Sequence, residues 1–239
     1  MTPADEVVSR VLVVTAHPDD VDFGVAGSVA AWTNAGIDVA YCVVTDGDAG
    51  GFDPAVPRSE IAGIRRTEQL AAAATVGVSD VTFLGYPDGR LVSSIELRRD
   101  ISRVIRRVRP DRVVAPSPDR NWERIYASHP DHLAAGDATV SAVYPDSRNP
   151  FAHPELLAEG YEPHTVGQLW LMAASTRNRF VDVTDTFDKK IAALRCHVSQ
   201  LPDPEGIEDR IRSWLALSAR EASLPEGRLA EGFLEIETG

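Results

Sequence analysis

The sequence is poor in several residue types that define special classes of protein. Its 239 residues include two cysteines, two methionines and two lysines, so the basic charge is almost all arginine. Cys42 and Cys196 lie far apart and form no Cys-x-x-Cys pattern, so we expect buried free thiols rather than a disulfide framework. This usage of cysteine fits a reduced, cytoplasmic compartment best.

Long apolar segments are also missing. No run of about 18 apolar residues, the length of a membrane span, occurs in the chain. The stretch from Met1 to Arg10 carries Asp5 and Glu6 instead of a basic segment before an apolar one. We therefore expect neither a secretory signal nor an integral membrane segment. The formal net charge of −12 argues against nucleic acid as a partner.

The remaining composition is that of an ordinary globular protein, with 44% apolar and 25% charged residues. A chain of this length can form one large domain with a sizeable core. No linker, low-complexity segment or repeat of domain length interrupts it. We therefore predict a single domain over residues 1–239.

Apolar segments typical of strands alternate with segments typical of helices in the first half of the chain. The segment 11–16 is apolar without polar alternation, as expected of a strand buried on both faces. Further strands are predicted at 39–44, 81–84, 113–116, 169–174 and 180–183, and helices at 24–34, 59–76, 96–109, 133–143 and 187–200. One more helix and an unassigned tail follow. The pattern predicts an α/β fold with a doubly wound, mostly parallel sheet and helices on both faces.

The tripeptide His-Pro-Asp occurs twice, at 17–19 and at 129–131. A shuffled chain of this composition would contain roughly 0.04 copies. Each copy is followed by another potential metal ligand, Asp20 in the first and His132 in the second. Three histidines and three carboxylates therefore fall within the two motifs, a composition typical of a hydrolytic metal site.

The first copy immediately follows the predicted strand 11–16. In open α/β sheets ligands bind beyond the carboxyl ends of the strands, which is where this copy would lie. The spacing of His17 and Asp20 lets one turn of chain bring both side chains to one ion. Asp19 would point elsewhere, within reach of a water at that ion. For this copy alone, a simple turn is the structural alternative.

The second copy begins a predicted helix, on which His129 and His132 are close enough in sequence to face one site. Catalytic zinc usually takes three protein ligands, so one of these histidines would join the first motif in binding metal. The other would donate a proton or a hydrogen bond, with Asp131 orienting it. The spacing leaves open which histidine has which role, and packed histidines at a helix start are the alternative. The remaining histidines are expected to be surface or core residues: His153, His164 and His197.

The segment 11–20, followed by Gly24 and Gly27, resembles the opening motif of the LmbE-like (PIG-L) family of zinc-dependent N-acetylglucosaminyl deacetylases. The segment 128–132 resembles the second motif of that family. Weaker features between them match in order, namely Thr45-Asp-Gly-Asp48, Arg65-x-x-Glu68 and Gly85-Tyr-Pro-Asp88. The resemblance covers about residues 11–142, and residues 180–200 more loosely.

This resemblance implies a Rossmann-like fold and hydrolysis of an N-acyl group, most often acetyl, on an N-acetylglucosamine-type conjugate. It implies one Zn²⁺ per chain, bound by His17, Asp20 and His132. Asp19 would be the general base, and His129, oriented by Asp131, would be the acid or oxyanion stabiliser. Two further residues would contact the sugar, Arg65 and Asp88.

Two other functions stay open at this point. A magnesium-dependent phosphohydrolase could use Asp19 and Asp20, although His17 weighs against a site for a hard cation. A non-catalytic module of the same fold could bind a sugar or a metal. The loops at 48–57, 119–126 and 145–167 are expected to select the small-molecule substrate. The sequence leaves open whether the chain forms a homo-oligomer.

Overall fold

The computed structural model describes residues 8–239, in which a central sheet is flanked by helices. Seven strands of this part of the chain form the sheet: β1 (Arg10–Thr15), β2 (Asp38–Thr45), β3 (Asp80–Tyr86), β4 (Arg112–Pro116), β5 (Gln168–Met172), β6 (Arg179–Asp182) and β7 (Ala230–Glu237). Their spatial order is β3-β2-β1-β4-β5-β7-β6. The first five are parallel, and β7 runs antiparallel to both of its neighbours. The predicted mostly parallel sheet is confirmed.

The helices follow the predicted order with shifted ends, except for a short additional helix at Pro154–Ala158, inside the segment 145–167 that was expected to be a loop. Within the described residues they are α1 (Asp20–Gly24), α2 (Ala26–Asn34), α3 (Arg58–Thr75), α4 (Ile95–Val108), α5 (Pro130–Ser141), α6 (Pro154–Ala158), α7 (Phe187–Leu194) and α8 (Ile207–Glu221). The helix predicted at 24–34 is two helices that begin earlier, at Asp20. The helix predicted at 187–200 ends at Leu194, and a 3₁₀ turn follows at Val198–Gln200.

Strand β1 explains why the fold has helices on both faces of the sheet. Its alternate side chains enter two different apolar clusters, as the two-residue period of a strand requires. Val11 and Val13 pack in the cluster that contains residues of α2 and α3. Leu12 and Val14 pack in the cluster that contains residues of α4 and α5. The apolar run in the sequence therefore corresponds to a strand that is covered on both sides.

The C-terminal segment, which the sequence left unassigned, forms strand β7. It joins the sheet beside β5, where Ile236 pairs with Leu169. Its other edge carries β6, where Gly232 pairs with Phe180. The chain thus closes the sheet with an antiparallel pair after five parallel strands.

Some predictions concern residues or properties outside this description. The single-domain prediction stays a prediction. Residues 1–7, which include Asp5 and Glu6, lie outside the described residues. Cys42 is buried as expected, whereas Cys196 is partly exposed. Among the described residues, no helix is both long and apolar enough to cross a membrane.

Candidate metal centre and catalytic site

The two His-Pro-Asp motifs meet at the carboxyl edge of the parallel strands. His17 lies just beyond β1, and the N–H of Thr45 at the end of β2 donates to Ala16 O at 2.8 Å. The backbone N–H of His17 donates to Oδ2 of Asp20 at 2.7 Å, so the turn holds its own carboxylate in place. The second motif begins α5, which packs against β1 and β4. The fold therefore joins segments more than a hundred residues apart.

Three potential ligand side chains converge between the motifs. Nδ1 of His17 lies 3.2 Å from Nε2 of His132 and 3.5 Å from Oδ2 of Asp20. Nε2 of His132 lies 3.0 Å from Oδ1 of Asp20. Metal–ligand bonds of about 2.0–2.1 Å in a tetrahedral zinc site place ligand atoms about 3.3 Å apart. The observed separations fit a small divalent cation among these three side chains.

His17 and His132 each have one ring nitrogen that points away from the proposed metal position. Hydrogen bonds at that nitrogen orient each ring for binding a metal through the other nitrogen. Nδ1 of His132 lies 3.3 Å from the carbonyl oxygen of Ala127, which can only accept, so Nδ1 carries a proton. The neutral ring then offers the lone pair of Nε2 to a metal. Nε2 of His17 lies 3.3 Å from Oδ2 of Asp131 and 3.1 Å from Oδ1 of Asp88. Carboxylates on Nε2 leave the Nδ1 lone pair for a metal.

The charge around His17 also favours a cation. Burial alone would lower the pKa of His17, but hydrogen bonds with Asp131 and Asp20 raise it to about 12. Asp131 is itself held by the backbone N–H groups of Gly89 at 2.7 Å and Leu91 at 3.1 Å. The surrounding carboxylates thus stabilise positive charge at this point, either a proton or a metal ion.

His129 has the opposite arrangement of ring nitrogens. Its Nδ1 accepts a hydrogen bond from the backbone N–H of Asp131 at 3.2 Å, so a neutral ring carries its proton on Nε2. Burial and the positive charges of His17 and His132 lower the pKa of His129, which favours that neutral form. Nitrogens of the three imidazoles lie within 4.8 Å of one another. A protonated Nε2 suits His129 to donate a hydrogen bond rather than to bind metal.

Asp131, which is expected to orient His129, contacts that ring through its backbone N–H and not through its carboxylate. The carboxylate contacts His17 and the Gly89 and Leu91 N–H groups instead. The difference arises because the segment after β3 folds against the start of α5, a contact between distant parts of the chain.

Asp19 lies beside the three converging side chains with an unusual backbone. Its φ of 95° lies in the left-handed region, which L-residues adopt only where surrounding contacts hold them there. Its N–H donates to Oε1 of Gln69 at 2.8 Å, and its Oδ2 lies 3.2 Å from Nη2 of Arg65. Burial raises the pKa of Asp19 to about 6, against the opposing effect of Arg65.

Arg65 and Asp88 are buried beneath the site rather than exposed on its rim. Arg65 is 4% exposed and donates to the carbonyl oxygens of Pro18 and Gly47. Asp88 accepts from the N–H of Ala49 at 3.2 Å. Burial would raise the pKa of Asp88, but its hydrogen bond with His17 holds it at about 2. Both residues brace the loops that carry the site, and the contact with a sugar stays a prediction.

The sequence did not single out a buried polar group behind the site. Gln69, which holds the Asp19 backbone, donates through Nε2 to Oδ2 of Asp22 at 3.0 Å. The same Asp22 oxygen lies 2.8 Å from Nε2 of His197, so His197 is a core residue, one of the two alternatives expected. Gln69 lies four residues after Arg65 on α3, and that helical spacing was the available signal. Glu68 instead accepts hydrogen bonds from Ser199.

Comparison with known proteins gives matches that cover this site. The family model described as PIG-L, GlcNAc-PI de-N-acetylase, matches residues 12–143. A diacetylchitobiose deacetylase of Thermococcus kodakarensis is 36% identical over 196 residues, which cover 82% of this chain and 72% of that protein. A probable N-acetyl-alpha-D-glucosaminyl L-malate deacetylase 2 of Bacillus anthracis is 30% identical, with 80% of this chain and 81% of that protein covered.

Among solved structures, N,N'-diacetylchitobiose deacetylase from Pyrococcus horikoshii matches with a TM-score of 0.89 and 31% identity. The match covers 97% of this chain and 85% of that one. The likeness therefore extends through the antiparallel end of the sheet as well as the segment that carries the two motifs.

Proposed function

The chain belongs to the PIG-L family of de-N-acetylases, and on that premise we propose that it is a metal-dependent amidohydrolase that removes the N-acetyl group from an amino-sugar conjugate. The observation that carries the proposal is the convergence of Nδ1 of His17, Nε2 of His132 and the Asp20 carboxylate within 3.5 Å of one another. These residues lie inside the segment that matches the family.

We propose zinc as the metal, one ion per chain, held by His17, Asp20 and His132. Two imidazole nitrogens and one carboxylate are a donor set that zinc accepts readily, whereas magnesium prefers oxygen donors. A bound zinc ion supplies Lewis-acid polarisation of the amide carbonyl and makes water acidic enough to attack near neutral pH. The same donor set weighs against the magnesium-dependent phosphohydrolase.

The side chains around this position divide the proton transfers of amide hydrolysis between them. Asp19, a buried carboxylate next to Arg65, accepts a proton from the attacking water as general base. His129 donates its Nε2–H to the carbonyl oxygen as negative charge develops there. The proton that Asp19 takes from water passes to the leaving nitrogen, which departs as the free amine of the sugar while acetate is released.

Two carboxylates act on the metal site through His17. Asp131 and Asp88 both face Nε2 of His17, and such partners fix the orientation of a ligating imidazole and increase its basicity. Arg65 holds the loop of the first motif through the Pro18 carbonyl and keeps the Asp19 carboxylate in place. These three residues are positioning residues.

The proposed function is tested by measuring acetate release from N-acetylglucosamine, N,N'-diacetylchitobiose and N-acetylglucosaminyl malate. We expect release by the purified protein, loss after chelation, and recovery with Zn²⁺ but not with Mg²⁺. Recovery with Mg²⁺ alone would contradict the proposed metal. A protein that binds zinc and releases acetate from none of the N-acetylated sugars would be a binding module, and the proposed function would be wrong.

A further inference from the structure

A cavity of about 340 Å³, a volume within the range of small-molecule sites, is lined by residues that follow the first motif and precede the second. One side is formed by Phe23 and Gly24 at the end of α1, the helix that begins with Asp20. Gly24 is therefore one helical turn, about 6 Å along the axis, from that proposed metal ligand. Another side is formed by residues 121, 123 and 124, in the loop that leads into the second motif. The cavity borders both segments that carry the proposed ligands.

The far wall of the cavity is the helix α8, which the proposed mechanism does not use. Ile211, Trp214 and Leu215 of that helix line the cavity. Trp214 is 36% exposed, so part of its ring remains accessible. The guanidinium of Arg124 lies 5.9 Å from the centre of that ring, and Nε of Arg124 donates to the hydroxyl of Tyr126 at 2.9 Å. Arg124 thus links the loop of the second motif to the aromatic wall.

The charges that line the cavity balance. Lys190 pairs with Glu231 at 2.7 Å, and Arg177 pairs with Glu221. The two other charged residues that line it are of opposite sign, Glu123 and Arg124. The lining residues therefore offer no excess positive charge to hold a carboxylate or phosphate. Arg210, whose guanidinium lies 5.9 Å from the centre of the Trp214 ring, is not one of them. An apolar and aromatic wall with polar groups at its rim suits a ring that has C–H groups on its faces and hydroxyls at its edge.

On the basis of the function proposed above, we propose that this cavity is the subsite for the part of the substrate beyond the N-acetylglucosamine ring. The group that it takes is neutral and polyhydroxylated, such as a second sugar, and it packs against Trp214. The cleaved amide then lies at the metal centre, while the second ring occupies the cavity that Gly24 borders. If the second part of the substrate carried carboxylates, it would meet no excess positive charge among the residues that line the cavity.

The test compares Trp214→Ala with the wild type on a monosaccharide and a disaccharide. For N,N'-diacetylchitobiose we expect an increase in KM of about tenfold, because a buried aromatic contact commonly contributes that much to binding. For N-acetylglucosamine we expect kcat/KM to change by less than about twofold, since the monosaccharide does not reach the cavity. Trp214→Phe, which keeps an aromatic ring, should restore most of the affinity for the disaccharide.

Leu217→Ala is the matched control, because Leu217 lies on the same helix, is 59% exposed and is not among the residues that line the cavity. It should leave both substrates unaffected, and circular dichroism should show that every variant is folded. Equal losses on the two substrates in Trp214→Ala, or no loss on either, would overturn the proposed subsite. N-acetylglucosaminyl malate should react with a lower kcat/KM than the neutral disaccharide, and the reverse order would overturn the proposed neutrality.

Calorimetric titration with N,N'-diacetylchitobiose separates this proposal from the function itself. If the wild type releases no acetate, the proposed function is wrong, and binding alone decides the subsite. Wild-type binding that weakens about tenfold in Trp214→Ala supports the subsite in that case. Absence of binding, or equal binding by both proteins, rejects it.

Discussion

His129 differs from the other two histidines of the site in how its ring nitrogens are used. His17 and His132 place a carboxylate or a carbonyl on the outer nitrogen, whereas His129 accepts a backbone N–H there. In its neutral form, His129 therefore presents an N–H donor to the site, whereas His17 and His132 each present a nitrogen lone pair. A hydrogen bond on the far side of each ring thus separates proton donor from metal ligand.

We predict that His129→Ala retains one zinc ion per chain but releases acetate about 10²–10³ times more slowly, because one donor to the developing oxyanion is lost. Metal analysis and steady-state kinetics on the same sample measure both properties. His153→Ala is the matched control, since His153 contacts Asp146 outside the site, and its activity should stay at the wild-type level. Loss of zinc from His129→Ala would identify His129 as a ligand.

Asp131 provides a separate test at the residue scale. We predict that Asp131→Asn weakens zinc binding about 10–100-fold, because the negative partner of His17 is lost. The hydrogen bond to His129 comes from the backbone of residue 131 and survives the substitution. Zinc-saturated Asp131→Asn should therefore recover most of its activity, as measured by titrating metal against acetate release. A variant with unchanged zinc affinity would show that the contact with His17 does not support the metal.

The sequence predicted which residues gather at the site better than it predicted their contacts. The repeated His-Pro-Asp motif identified both segments, and the family resemblance supplied the roles. The partner of Asp131 could not be derived, because it depends on how the segment that carries Gly89 and Leu91 folds against α5. The support from Gln69 likewise depends on the position of α3 beneath the first motif.

At the scale of elements, α5 approaches the sheet very closely. A Cβ added at Gly136 would lie 2.4 Å from the carbonyl oxygen of Pro116 at the end of β4, so the absence of a side chain sets the distance between helix and strand. This helix carries His132 into the site. Its close packing therefore links the geometry of the metal centre to the core.

We predict that Gly136→Ala lowers the free energy of unfolding by about 1–3 kcal/mol, because the added methyl group must displace backbone. Displacement of α5 should also weaken zinc binding. Gly63 on α3 is the matched control, since nothing lies within 4 Å of a Cβ added there. Gly63→Ala should stabilise the protein by about 0.5–1 kcal/mol. Denaturant unfolding measures both variants, and a neutral Gly136→Ala would contradict the close packing.

The predictability of the elements followed how buried each one is. Strands β1, β2 and β4 were predicted within one or two residues, because apolar runs covered on both faces are visible in the sequence. Strand β7 was not predicted, because Glu231, Glu235 and Glu237 interrupt its apolar residues and it pairs antiparallel near the edge of the sheet. The end of α7 was overestimated, because the apolar pattern continues into the turn that follows.

At the scale of the whole molecule, the proposed metal centre connects two segments more than a hundred residues apart, which packing and the contact between His17 and Asp131 also hold together. A ligand present at about 100 times its Kd stabilises the folded state by about 2.7 kcal/mol. For a chain of this size that corresponds to a rise in Tm of about 5–10 °C. We predict such a difference between zinc-loaded and chelated wild-type protein in calorimetry. Asp20→Ala should show no zinc-dependent shift, and an equal shift in that variant would indicate that zinc binds elsewhere.

The central claim is that the two aspartates after His17 and Pro18 have different roles, Asp20 binding the metal and Asp19 accepting the proton. The most direct measurement counts zinc per chain and acetate release in Asp19→Ala and Asp20→Ala beside the wild type. We predict that Asp19→Ala keeps one zinc ion per chain and releases acetate about 10²–10⁴ times more slowly than the wild type. Asp20→Ala is predicted to lose the zinc ion. Asp19→Ala without metal, or Asp20→Ala with full metal and full activity, would contradict the account.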